Sequence, residues 1–165
     1  MFVGYTLQEE HEMVPPEILE RFKFLWEKRL SVAISSPDLY SEELAAFGSW
    51  FASAKFDDNW SLEQLKTVLN LVDKAEPDHL VIERLVQLAP KFSHLCVECL
   101  RLMIEGDKQG WCVYGWTEEA RTIITEALGS EDEEAASAAI NLIHILGARG
   151  FFDFRDLLPT KEVPS

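Results

Sequence analysis

Residues 92–103 read Phe-Ser-His-Leu-Cys-Val-Glu-Cys-Leu-Arg-Leu-Met. Phe92, Leu95, Cys96, Cys99, Leu100 and Met103 recur at spacings of three and four, which is one face of an α-helix and not the alternation of a strand. Gly106 follows, placed to end the helix in the left-handed conformation that glycine adopts at little cost. Upstream, Pro90 closes a preceding helix over 77–89, whose Leu80, Val81, Leu85, Leu88 and Ala89 repeat the same period. Two such helices joined by a few residues pack antiparallel, so this stretch already argues for an all-α chain.

Working back toward the N-terminus, Ser61-Leu-Glu-Gln64 fits a capping box, with Leu62, Leu65, Val68, Leu69 and Val72 behind it. A helix over 38–55 presents Tyr40, Leu44, Phe47, Trp50, Phe51 and Ala54. Gly48 lies inside that pattern, where it costs about 1 kcal/mol against alanine, and so marks a close helix approach. The first helix, over 16–34, starts at Pro15-Pro16, ends at Ser35-Ser36-Pro37 and turns Ile18, Phe22, Leu25, Trp26 and Leu30 to one side.

Toward the C-terminus comes a long aromatic break, Glu105-Gly-Asp-Lys-Gln-Gly-Trp-Cys-Val-Tyr-Gly-Trp-Thr117. A plain helical connection needs only a few polar residues. Thr117 can cap a sixth helix, with Ala120, Ile123, Ile124, Ala127 and Leu128 inward and Gly129 at its end. Ser130-Glu-Asp-Glu133 is a second capping box. The helix over 131–146 is apolar almost all round, as in a helix buried between neighbours. Gly147 and Gly150 end it, and residues 151–158 form a short docking turn. The reading is an irregular segment at 1–14, one α-helical repeat domain at 15–158 and a flexible tail at 159–165. The domain holds about seven antiparallel helices, as a short solenoid or an irregular bundle.

Composition bounds the function. The chain has 165 residues and a formal net charge of -14, from 29 acidic and 15 basic side chains. Phosphate neutralisation needs a basic patch, and no run of Lys and Arg supplies one, so direct nucleic-acid binding and attraction to anionic membranes are disfavoured. Three cysteines are an odd set and make no secreted disulfide framework. No apolar stretch approaches the roughly 18 residues of a membrane span. Glu9, Glu10 and Glu12 stand where a signal peptide needs a basic start, and a cytoplasmic protein is expected.

The candidate chemistry is thin. His94, Cys96, Cys99 and Cys112 are the nearest approach to a metal set, but Cys96 and Cys99 fall on the apolar stripe, and core packing is the expected role. His94 with Glu98 and His79 with Glu83 are four apart and read as surface helix pairs. His144 reads as a partly buried histidine with one hydrogen-bond partner. Gly106-Asp-Lys-Gln-Gly110 lacks the Gly-Lys-Ser/Thr end and the preceding strand of a phosphate loop. No nucleophile elbow or dinucleotide-binding glycine pattern occurs. No catalytic residue, cofactor or metal ligand is assigned. Trp111, Tyr114, Trp116 and Arg121 are the candidate interaction or structural residues. The two tryptophans are expected to pack at least half-buried over the helix ends, and Arg121 to stack on a ring or pair with an acid.

Several stretches together carry a resemblance: Trp60 with Leu62 to Leu69, Pro77-Asp-His-Leu-Val-Ile-Glu-Arg-Leu85, Glu105-Gly-Asp107 and Trp111 to Trp116. It continues in Glu118-Glu-Ala-Arg121, Leu146-Gly-Ala-Arg-Gly-Phe151 and Phe154-Arg-Asp-Leu157. Over residues 45–158 the chain resembles the HEAT-like helical module at the C-terminus of large bacterial multidomain proteins. Those proteins carry NTPase or sirtuin-like domains and are often associated with anti-phage defence. The resemblance implies a right-handed HEAT-like solenoid and an accessory, noncatalytic scaffold that contacts other domains, subunits or a ligand. The family's catalytic parts have no counterpart here. The expected partner is a protein or the adjacent domains of a larger chain. The alternative is a small-molecule or metal-binding regulatory domain that uses the 105–117 loop.

Overall fold

A computed structural model describes residues 14–159. The irregular 1–14 segment and the flexible 159–165 tail expected from the sequence fall almost wholly outside that range. Among the described residues every regular element is helical: α1 Pro16–Ala33, α2 Ser41–Ala45, α3 Phe47–Ala52, α4 Asp58–Val72, α5 Asp78–Leu88, α6 Ser93–Gly106, α7 Trp111–Gly115, α8 Thr117–Leu128 and α9 Glu133–Ala148. Short 3-10 turns at Pro37–Tyr40 and Phe152–Leu157 complete the set.

The contacts sort the helices into two runs. α3 packs on α5 and α5 on α8, while α2 packs on α4, α4 on α6 and α6 on α9. Hairpin contacts α3–α4, α5–α6 and α8–α9 tie the runs together. α6 is the hub, and its Cys96, Val97, Cys99, Leu100, Met103 and Ile104 are all buried. α1 joins through aromatic rings. Trp26 stacks on Phe47 with centroids 4.2 Å apart, and Phe22 meets Trp50 edge-on. Such pairs add about 0.5–1.5 kcal/mol beyond the area they bury.

Several sequence expectations need correction. Neither capping box forms. Asp57 caps α4 by accepting from Trp60 N at 2.9 Å, whereas Ser61 lies buried inside the helix and donates to Asp58 O. α9 is capped by Asp132, which accepts from Glu134 N and Ala135 N, and Ser130 Oγ accepts from Asp132 N. A carboxylate is as good a cap as a hydroxyl, and each helix starts at the acid best placed to reach its free N–H groups.

The expected helix over 38–55 is three pieces. The Ala45 carbonyl accepts from Glu76 N at 2.8 Å, and Ser49 N turns to Ala46 O instead. A distant strand of chain has taken the carbonyl that the helix needed, and the ladder breaks there. Ala54 lies past the end of α3 with φ 56° and is exposed, so it does not extend the apolar face.

A close approach is present at Gly48, but it is not the expected one between helices: its partner is the non-helical 73–77 link. A Cβ on Gly48 would stand 2.5 Å from Glu76 O and 2.6 Å from Glu76 N. Gly106 is the last residue of α6 and not a left-handed cap. It is glycine because a Cβ would run into the Asp73 carbonyl. The link is thus gripped between two glycines, one on α3 and one on α6.

Candidate functional site: a groove under the 107–116 connection

The aromatic break is a short built structure, not an open loop. Asp107 follows the end of α6, and its carboxylate accepts from Gly110 N at 3.1 Å, Cys112 N at 2.9 Å and Val113 N at 3.2 Å. That one side chain turns the backbone, satisfies the free donors at the start of α7 and sets the helix's orientation. Gly110, at φ 75°, takes the left-handed turn between them. On the other side Arg149 donates to Asp107 O at 2.6 Å and to Ile104 O, satisfying carbonyls that the end of α6 leaves free. Thr117 is the first residue of α8 and not its cap. Its hydroxyl closes the segment by donating to Val113 O and Tyr114 O.

α7 and the residue after it present two faces, each a pair of residues three apart. Val113 and Trp116 point inward and are buried, whereas Trp111 is 75% exposed and Tyr114 73% exposed. Trp116 therefore seals the core as expected. Trp111 does not. Its backbone is set by Asp107, and the inward positions of so short a helix are already filled by Val113 and Trp116. Tyr114 leans edge-on against Phe151 with centroids 5.1 Å apart, but its outer side is open.

Trp111 stands at the margin of a groove of about 1320 Å³. α1 lines it with Leu25, Trp26 and Arg29. Phe47 and Trp50 of α3 and the 73–78 link line it too, and Met103 and Gly106 of α6 close it. Arg29 grips Glu43 in a two-pronged pair at 2.6 and 2.7 Å, which holds the Glu43 carboxyl below its ordinary pKa. Lys74 lies 2.8 Å from Glu42 and 3.5 Å from Glu76, and Lys108 is 3.9 Å from Asp73. Asp78 and Asp107 have no Lys or Arg partner among the described residues. The indole N–H of Trp26, a residue only 4% exposed, has no acceptor among the described residues.

The remaining candidates do not converge. Cys96 and Cys99 are buried in the α6 stripe. Burial pushes the Cys96 thiol up to about 12 and the Cys99 thiol well above its usual value, so neither is a ready thiolate. Cys112 is partly exposed. Its thiol is raised first by burial and then by the Asp107 and Asp78 carboxylates. Among the described residues no three His, Cys, Asp or Glu side chains are grouped to hold a metal ion.

The expected histidine pairs also fail. His94 Nδ1 is 3.9 Å from Glu134 on α9, and Glu98 is instead held by Arg101. His79 lies by Asp78, and His144 is exposed. Arg121 takes the acid and not the ring. It makes a two-pronged pair with Asp156 at 3.0 and 2.6 Å and donates to Asp153 O, pinning the 152–157 turn to α8.

Asp107, Arg149 and the glycine-gripped link were missed from the sequence. The only signal was an aspartate directly after a helix-ending glycine, three residues before another glycine. No known protein family, characterised protein or solved structure matches this chain.

Proposed function

We propose that this protein is a noncatalytic helical scaffold of HEAT-like solenoid type. It works by contact with another protein or with adjacent domains, as an accessory of a larger bacterial, defence-associated system in the cytoplasm. One observation carries the reading: two large aromatic side chains, Trp111 and Tyr114, stand outward from a backbone fixed by Asp107 and Arg149. Exposed aromatics on a rigid support are the usual anchors of protein interfaces, because little entropy is lost when they are covered. The two-run stacking of α3, α5 and α8 beside α4, α6 and α9 supports the repeat reading. No described helix is long and apolar enough to cross a membrane.

The test is quantitative affinity capture from the producing cells with the wild-type chain and with Trp111→Ala/Tyr114→Ala. At least one protein should be retained by the first and lost by the second, with the two chains equally folded by circular dichroism. An identical retained set would overturn the reading.

The groove's lining favours one alternative, a small-molecule or metal-binding regulatory domain that uses the 105–117 segment, because Asp107, Trp111 and Cys112 all border the concavity. Stabilisation by a metal or nucleotide in a thermal-shift screen, abolished by Trp111→Ala, would turn the assignment that way.

A further inference from the structure

The groove's own chemistry says what kind of segment it takes. Its lining carries six carboxylates (Glu42, Glu43, Asp73, Glu76, Asp78 and Asp107) against three cations (Arg29, Lys74 and Lys108). Each cation is already engaged by lining acids, Lys74 by two of them. What is left over is negative, and the protein as a whole is negative as well. Glu76 and Asp78 flank one end of the link, with side chains 57% and 44% exposed. Like charges in a concave wall focus the field outward, which draws cations and repels phosphates and acidic segments.

The same groove is aromatic. Trp111 lines it with a ring that is largely exposed, Trp50 is half-buried in its wall, and Trp26 lies beneath, stacked on Phe47. Tryptophan faces are the best cation–π platforms and also accept aliphatic side chains. Pockets for single small molecules run about 300–1000 Å³, and this groove is larger, as a peptide segment requires. Its walls are stiff, because Gly48 and Gly106 clamp the link and Asp107 fixes α7, so little ordering is needed on binding.

We propose that the groove between α1 and α7 binds a basic peptide segment of a partner protein, one or more Lys or Arg flanking an apolar anchor. The cationic groups meet the Asp78 carboxylate, which has no Lys or Arg partner among the described residues, and beside it Glu76, which Lys74 approaches only to 3.5 Å; the anchor lies against Trp111. This rests on the reading of the α7 face as a protein-docking surface and adds the partner's chemistry to it.

The experiment is selection of a displayed random-peptide library on the full chain. Enriched peptides are then synthesised and their affinities measured by fluorescence polarisation. Enriched sequences should be net positive with at least one large apolar residue. Trp111→Ala should weaken them about tenfold or more, and so should Glu76→Lys/Asp78→Lys and a tenfold rise in ionic strength. Asp78 opens α5, so the charge-neutral pair Glu76→Gln/Asp78→Asn is run beside the reversal and should weaken binding in the same direction, to a smaller degree.

The outcomes separate the two claims. Suppose the enriched peptides are neutral or acidic, or indifferent to both acid variants, yet are still lost with Trp111→Ala. Then the basic-segment inference falls and the docking surface stands. If no enriched peptide depends on Trp111, both fall.

Discussion

The seam between α6 and α9 and the connection from Asp107 to Trp116 adjoin each other, yet different forces hold them. In the seam Leu100, Ile104, Ala139, Leu142, Ile143 and Leu146 are all buried, and the stabilisation is apolar area removed from water. No single polar contact decides it. In the connection a single carboxylate serves three backbone N–H groups and one guanidinium serves two carbonyls, and beside it Gly106 of α6 and Gly48 of α3 admit the neighbouring link. The seam tolerates conservative change and resists opening. The connection is set by a few atoms and holds two aromatic rings outward. The contrast teaches that this fold spends its apolar periodicity on the core and its backbone chemistry on the face it displays.

Among backbone contacts the largest expected effect lies where the link is gripped. Gly48→Ala adds one methyl where the Glu76 backbone leaves it no room, and backbone cannot yield as a side-chain tip can. It should cost about 3 kcal/mol in urea unfolding, within the range of about 2–5 kcal/mol for removing most of a core side chain, as in Leu142→Ala. A neutral Gly48→Ala would mean that the link does not lie against α3, and the contrast would dissolve.

Next comes Asp107→Ala, which leaves three donors at the start of α7 without their acceptor. The expected loss is about 1–2 kcal/mol, with faster hydrogen exchange at the Cys112 and Val113 amides and little change in the α6 amides. Equal acceleration in both places would show one cooperative unit instead of two differently held regions.

The thiols sharpen the comparison with a smaller effect. Cys96 and Cys99 are buried in the core, Cys99 against the Leu62 carbonyl of α4, and Cys112 belongs to the connection, so a thiol reagent at neutral pH should label Cys112 alone in the folded protein. The buried thiols also fix the sign of the alkaline dependence. Their folded pKa values are raised, Cys96 to about 12, above the ordinary 9.0. The folded state therefore keeps protons that the unfolded state has lost, and stability falls as pH rises past 9 toward 12. Glu98, lowered by its hydrogen bonds with Arg101, acts at the other end. Its contribution is present above the ordinary 4.5 and is lost as pH falls through its lower folded value.

The parts of the molecule readable in advance were those written in side-chain period. The α5 and α6 stripes and the burial of Cys96 and Cys99 follow from three- and four-residue spacing alone. The enclosure expected of α9 does not hold: Ala135, Ala139, Leu142, Ile143 and Leu146 are buried, whereas Ser137, Asn141 and His144 form an exposed face. Gly48 was readable as a close approach, though its partner was not, because Glu76 lies nearly thirty residues away. The breaks escaped for the same reason. Nothing local to Ala45 announces that its carbonyl will serve Glu76. Helix starts were misplaced where an acid near the boundary outcompeted the serine of a capping box. The two tryptophans were grouped by composition, whereas the position of Asp107 sets which of them faces in.

That last difference is the core of the account, and equilibrium urea unfolding of Trp111→Ala beside Trp116→Ala tests it most directly. Trp116 is 7% exposed and Trp111 75% exposed. Trp116→Ala should lose about 3–5 kcal/mol and Trp111→Ala should stay within about 0.5 kcal/mol of wild type. Comparable losses in the two would contradict the account, because Trp111 would then be packed into the core and no aromatic anchor would be displayed.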